Sequence, residues 1–224
     1  MVIAETFASL QGEGTLVGTP SFFIRTAGCN LRCAWCDTPY ASWAPEGRRV
    51  APVTLVERAT SAGLHHVVIT GGEPLLQREI GELTRMLSAT GHHLTVETAG
   101  TLAPTFSCDL LSVSPKTGNS DPDGVWRARH RTARSGFGVL ATLLERHPEY
   151  QLKFVVRGRE DLAEVEEIVA QVRASRGRVL LMPEGRSAEE VAGRRSEVAR
   201  LCLEHGFRYS ARLHLDLFGG GRGV

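Results

Sequence analysis

The sequence predicts an α/β protein: a partial (β/α)6-type open barrel with an N-terminal extension and a long insertion loop. Two observations carry this expectation. Apolar runs of strand length alternate with amphipathic stretches of helical length, the pattern of βα units that build a parallel sheet. About six such units fit along the chain, too few for a closed eight-fold barrel.

Taken in order, the strand candidates are residues 21–26, 66–70, 93–97, 110–114, 151–156, 179–182 and 212–218. Helical patterns fall between them at 54–62, 75–90, 138–147, 161–174 and 188–205. Ahead of the first strand, residues 4–14 combine Glu5, Gln11 and Glu13 with Gly12 and Gly14, and read as a polar loop. Residues 37–52 contain Pro39, Pro45 and Pro52 and read as a loop. Residues 116–135 hold Gly118, Asn119, Asp121, Pro122, Asp123 and Gly124, then four arginines. They read as a mobile surface excursion whose basic side chains face solvent. No repeat, low-complexity tract or linker divides the chain, so residues 1–224 are expected to form a single domain.

The bulk composition excludes several classes. A chain of 224 residues, 42% hydrophobic and 23% charged, supports one sizeable buried core. Its net charge of +1 offers no field that would select nucleic acid. The first residues include Glu5, Thr6 and Ser9 and do not resemble a signal peptide. No run approaches the roughly 20 apolar residues a membrane span needs. The chain is therefore expected to be cytoplasmic, with neither membrane nor nucleic acid as partner. Thiols stay reduced there, so five cysteines point to metal or chemistry rather than disulfides. Cys108 and Cys202 stand alone and read as buried structural thiols. Only two lysines occur, Lys116 and Lys153.

The strongest motif is Gly28-Cys29-Asn30-Leu31-Arg32-Cys33-Ala34-Trp35-Cys36-Asp37, a C-x3-C-x2-C spacing. A short loop brings three thiolates to one metal centre. Four protein ligands would close a [4Fe–4S] cluster for electron transfer, whereas three leave one iron open to a small molecule. Structural zinc is the alternative, but it wants a fourth ligand. No second cysteine pair exists, and His65 and His66 begin a strand about 30 residues on. Thr70-Gly71-Gly72-Glu73-Pro74 ends one strand candidate, as a tight βα turn or as a place where backbone approaches a ligand. Residues 97–101 and Ser114-Pro115-Lys116 end the next two, where barrel active sites gather. Arg25 can clamp a carboxylate with its planar fork.

C-x3-C-x-aromatic-C is the hallmark of the radical S-adenosylmethionine superfamily, and this chain resembles its members. The resemblance implies a barrel of the radical SAM type, with Cys29, Cys33 and Cys36 holding a [4Fe–4S] cluster. One cluster electron would cleave S-adenosyl-L-methionine reductively, releasing methionine and a 5′-deoxyadenosyl radical. Residues 70–74 resemble the superfamily's GGE motif, which meets the methionine amino group.

Five segments resemble one family in particular, the 7-carboxy-7-deazaguanine synthases. They are Ser9 to Gly14, Arg25 to Thr38, Thr70 to Pro74, Ser114 to Lys116, and the Arg212-Leu213-His214 tail running to Arg222-Gly223-Val224. This likeness implies conversion of 6-carboxy-5,6,7,8-tetrahydropterin to 7-carboxy-7-deazaguanine with loss of ammonia, in queuosine-type 7-deazapurine biosynthesis. Leu10, Gln11, Gly12, Arg25, Thr70 and Val224 would contact the pterin. Trp35, Cys36, Asp37, Gly72, Ser114, Pro115 and Lys116 would contact the cosubstrate, and Thr38 would bind Mg²⁺. The resemblance also implies a homodimer and an electron donor such as a flavodoxin or ferredoxin. The chain departs from the family pattern at Ala99, Ala211, Gly220 and Gly221. A glycyl-radical activase and a non-catalytic zinc- or cluster-binding protein are the competing readings.

Overall fold

The computed structural model describes residues 1–223. Nine strands form one sheet in the order β3-β1-β2-β4-β5-β6-β7-β8-β9. The strands are β1 (Val2–Leu10), β2 (Pro20–Thr26), β3 (Arg48–Arg49), β4 (His66–Gly71), β5 (His93–Thr98), β6 (Leu110–Val113), β7 (Tyr150–Val156), β8 (Val179–Pro183) and β9 (Arg208–Tyr209). From β2 through β9 every pairing is parallel, while β1 runs antiparallel to both β2 and β3. The helices are α1 (Pro39–Ser42), α2 (Pro52–Ser61), α3 (Ile80–Ala89), α4 (Arg127–Arg134), α5 (Phe137–Arg146), α6 (Leu162–Gln171), α7 (Ala188–His205) and α8 (Leu213–Phe218). This is the open α/β barrel that the alternating pattern predicts.

Strand periodicity sorts the residues into two sets. Val67, Ile69, Leu94, Val96, Leu111, Val113, Leu152, Phe154, Val156 and Leu181 join the apolar core with the inward faces of α2, α3, α5, α6 and α7. Their alternates point into the barrel: Thr70, Glu97, Ser112, Ser114, Lys153, Val155 and Met182. A strand side chain changes face at every residue, so one run builds core and site together. The helices bury the expected stripe; α3 buries Ile80, Leu83, Thr84 and Leu87. Helix α7 matches its expected bounds. Ser187 caps it by accepting from the Glu190 amide, and Gly206 ends it at φ 68°.

Four expectations change. Residues 212–218 are not a strand: the last strand is the two-residue β9, and the segment forms α8. Alternating Leu213, Leu215 and Leu217 mimic strand periodicity, which six residues cannot distinguish from one helical turn and a half. The polar N-terminal loop is instead β1, whose Glu5 and Phe7 pair in register with Arg25 and Phe23 of β2. The expected loop at 37–52 contains α1 and β3. The excursion at 116–135 is folded: it carries α4, and Ser120 and His130 are buried. No helix among the described residues is long and apolar enough to cross a membrane.

Candidate active site

A cavity of about 280 Å³ opens at the carboxyl ends of the strands. The loop after β2 brings Cys29, Cys33 and Cys36 to its wall, with Trp35, Asp37 and Thr38. The turn after β4 adds Thr70 and Gly72, and the end of β6 adds Ser114 and Lys116. Leu10, Gln11 and Gly12 enter from the end of β1, and Arg25 from β2. Fourteen of the sixteen residues singled out in the sequence therefore line one space. Pro115 does not line it, and Val224 lies outside the described residues.

Two polar networks shape the cavity. In the first, the Lys153 ammonium sits 2.9 Å from Glu13 Oε2 and 3.4 Å from Glu97 Oε1. Glu97 also accepts from Gln11 Nε2 at 3.2 Å and from the Thr70 hydroxyl at 2.9 Å. Arg212 reaches Glu13 at 3.3 Å and pairs with Asp37 and the Gly185 carbonyl. Burial raises the Glu13 pKa, but the charges of Lys153, Arg212 and His214 outweigh it and hold the carboxyl well below its usual range. Burial likewise lowers the Lys153 pKa, and Glu97 and Glu13 more than reverse this. Both groups stay charged at neutral pH.

In the second network, Arg25 Nε and the Tyr40 hydroxyl both donate to Glu5 Oε1 at 2.7 Å. The Arg25 guanidinium stacks 5.5 Å from the Phe7 centroid, and Phe7 stacks on Phe23. Burial and the bond to Glu5 push the Tyr40 hydroxyl up to about 12.

Glu73 does not enter the cavity. It is fully buried and accepts from the Thr98 hydroxyl at 2.7 Å and from the backbone amides of Leu75 and Ala99. Its part in the Gly-Gly-Glu turn is to tie the ends of β4 and β5 together. The glycines have a steric role. A Cβ on Gly72 would strike the carbonyl oxygens of Gly28 and Ala41, and a Cβ on Gly71 would strike the backbone of Thr26.

Comparison with known proteins shows which family the chain belongs to. The family model of the radical SAM superfamily matches residues 23–183. A 7-carboxy-7-deazaguanine synthase of Rhodopirellula baltica is 43% identical, over 100% of this chain and 89% of the relative. One from Halobacterium salinarum is 44% identical, over 96% of this chain and 90% of the relative. The chain belongs to the 7-carboxy-7-deazaguanine synthase family. Its fold agrees with the crystal structure of QueE from Escherichia coli, at a TM-score of 0.70 and 26% identity, covering 95% of this chain and 94% of that one.

Radical SAM membership implies a [4Fe–4S] cluster and S-adenosylmethionine, and the donor set fits them. Three soft thiols share one wall, and two of the sulfurs have a hydrogen-bonding group beside them. The Leu31 amide lies 3.4 Å from Cys29 Sγ, and the Ser42 hydroxyl lies 3.0 Å from Cys36 Sγ. Burial pushes Cys29 up to about 11 and Cys33 up to about 12, so metal loading must release their protons. Lys116 sits on the same wall, donating to Ser114 Oγ at 2.7 Å with its ammonium 5.3 Å from the Trp35 centroid. Among the described residues, no three of His, Cys, Asp or Glu are gathered closely enough to hold one metal ion.

The sequence assigns no role to Lys153, Arg212 or His214, yet all three line the cavity. Lys153 left a signal: a lone ammonium within the apolar run of β7 needs a partner. Arg212 and His214 stood only in the tail that carries the family resemblance; what they touch was not legible, because their neighbours come from the other end of the chain.

Proposed function

We propose that this chain converts 6-carboxy-5,6,7,8-tetrahydropterin to 7-carboxy-7-deazaguanine, with release of ammonia, in 7-deazapurine biosynthesis. The observation that supports this most is the gathering of a thiol wall and a polar wall around one cavity. Cys29, Cys33 and Cys36 are the proposed cluster ligands. When bound, the cluster supplies one electron to the sulfonium of S-adenosylmethionine. Trp35, Cys36, Asp37, Gly72, Ser114, Pro115 and Lys116 are the proposed cosubstrate contacts, with Lys116 offering a point charge to its carboxylate or ribose.

Leu10, Gln11, Gly12, Arg25 and Thr70 are the proposed pterin contacts, joined by the C-terminal Val224. Gln11 offers both a donor and an acceptor, and Arg25 suits the substrate carboxylate. Glu13, held ionised beside Lys153, and Glu97, which also pairs with Lys153, suit the amino and ring N–H donors of the heterocycle. Thr38, beside Asp37, is the proposed ligand of a Mg²⁺ that keeps most of its waters. The proposed setting is a cytoplasmic homodimer, one domain per chain, reduced by a one-electron carrier.

The test is anaerobic reconstitution with iron and sulfide, then incubation with the carboxypterin, S-adenosylmethionine, Mg²⁺ and dithionite. Mass spectrometry should show the deazaguanine acid. Formation of 5′-deoxyadenosine without that acid would overturn the substrate assignment.

A further inference from the structure

We propose that Tyr40 is a positioning residue that couples the glycine-rich tail to the carboxylate clamp at Arg25: Arg222 docks on its ring while its hydroxyl orients Arg25 through Glu5. This rests on the function proposed above, in which Arg25 takes the substrate carboxylate. Docking of the tail and binding of the carboxylate then reinforce each other, since a coupling between two sites acts equally in both directions.

The contacts form a continuous series. Tyr40 lies on α1, half-buried, and lines the cavity. On one side, its ring carries the Arg222 guanidinium, whose carbon stands 3.7 Å from the centroid, well inside the range of a cation–π contact. The same guanidinium forks onto Glu46, at 2.9 Å from Oε2 and 3.3 Å from Oε1. Glu46 is held beside the ring because its amide donates to the Tyr40 carbonyl at 2.7 Å. Aromatic face and carboxylate thus make one receptor. On the other side, the Tyr40 hydroxyl and Arg25 Nε share a single oxygen, Glu5 Oε1, each at 2.7 Å. Among the described residues Arg25 hydrogen-bonds through Nε alone, which leaves its terminal nitrogens to a substrate carboxylate. Phe7 covers one face of that guanidinium, so the orientation of Glu5 decides where the fork points.

The magnitudes favour a tail that docks and releases. Both partners of the tail ion pair are more than half exposed, 54% for Arg222 and 65% for Glu46, and an ion pair in solvent is weak. Gly219 and Gly220 take φ of 68° and 75°, and Gly220 and Gly221 line the cavity on the way to Arg222. Three successive glycines lose much chain entropy on ordering, and two of them fall where this chain departs from the family pattern. A tail this free needs a receptor to rest across the cavity, and a bound carboxylate, relayed through Glu5, tips the balance toward docking. A plain surface ion pair would account for Arg222 and Glu46. It would not account for the stacked ring, or for the oxygen that the hydroxyl of that ring shares with Arg25.

The experiment is calorimetry on the reconstituted, unreduced enzyme with S-adenosylmethionine and Mg²⁺. It measures affinity for 6-carboxy-5,6,7,8-tetrahydropterin and for tetrahydropterin lacking the carboxyl group. The readout is the ratio of the two, which a general loosening of the site leaves alone. Tyr40→Phe keeps the ring and removes the hydroxyl, and should lower the ratio roughly tenfold. Arg222→Gln should lower it about threefold, and the double variant should fall no further than Tyr40→Phe. In turnover, Tyr40→Phe should raise KM for the carboxypterin with kcat held within about twofold. Equal losses for both pterins in Tyr40→Phe, or losses that add in the double variant, overturn the proposal. Wild type with no preference for the carboxylated pterin overturns the proposed substrate and this proposal together. A preference that survives Tyr40→Phe overturns this proposal alone.

Discussion

Lys153 concentrates the electrostatics of the site in one side chain. It is 3% exposed and serves two carboxylates that approach from different elements. Lys153→Met should destabilise the fold by about 3 kcal/mol at pH 7, because it strands buried charge; urea midpoints measure this. The pH dependence has a definite sign. Glu13 has a lowered folded pKa, so its stabilisation is complete above its unfolded value of about 4.3 and is lost as pH falls below it. Lys153 has a raised one, so its share is complete below about 10.4 and is lost as pH rises beyond it. Wild type should lose stability into acid, and the Met variant should lose less. Gly72→Ala is a steric test, since the colliding atoms are backbone and cannot rotate away. Iron bound per chain after reconstitution should fall, with far-ultraviolet circular dichroism unchanged. Residue motifs read well from sequence where chemistry is local, as with the three cysteines. The pairing of Arg212 with Glu13 escaped because 199 positions separate them.

At the scale of elements, the excursion after β6 is a buttress. Residues 116–135 hold the cysteine loop through the Ala34 amide on the Ser120 carbonyl, Trp35 Nε1 on Asn119 Oδ1 at 3.0 Å, and the Arg32 amide on His130. Asp121 clasps Arg131 and Arg134, which anchors α4 in turn. His130→Ala removes the acceptor of the half-buried Arg32 amide and one of the two partners of the Ser120 hydroxyl, and should cost about 1–3 kcal/mol in thermal or urea unfolding. The variant should also lose iron to a chelator faster than wild type. Composition hid this role: glycines, aspartates and arginines signal a loop equally well whether it is loose or pinned. The central strands were visible because each is an apolar run of buried-strand length. Strand β1 was not, since Glu5, Thr6 and Ser9 break its apolar character while β2 supplies its partner.

Across the whole molecule, the alternation within each strand divides core from site. Phe154, adjacent to Lys153, is fully buried among the helices. Phe154→Ala should cost about 3–5 kcal/mol, read from urea unfolding, more than any substitution on the cavity side of β7. The barrel is completed differently on its two flanks. On one, β1 adds a paired strand. On the other, the ladder stops at β9, and the gap back to the start of the chain is spanned by Arg212 to Glu13, the Leu213 amide to the Gly12 carbonyl at 2.9 Å, and the Gly14 amide to Ser210 Oγ at 2.9 Å. This seam is closed by one ion pair and two single hydrogen bonds rather than by a continuous strand ladder. Ser210→Ala strands the buried Gly14 amide and should cost about 1–3 kcal/mol in urea unfolding, while altering how quickly the carboxypterin enters and leaves, measurable by stopped-flow binding. The contacts that would admit the substrate are thus the same ones that close the frame around it.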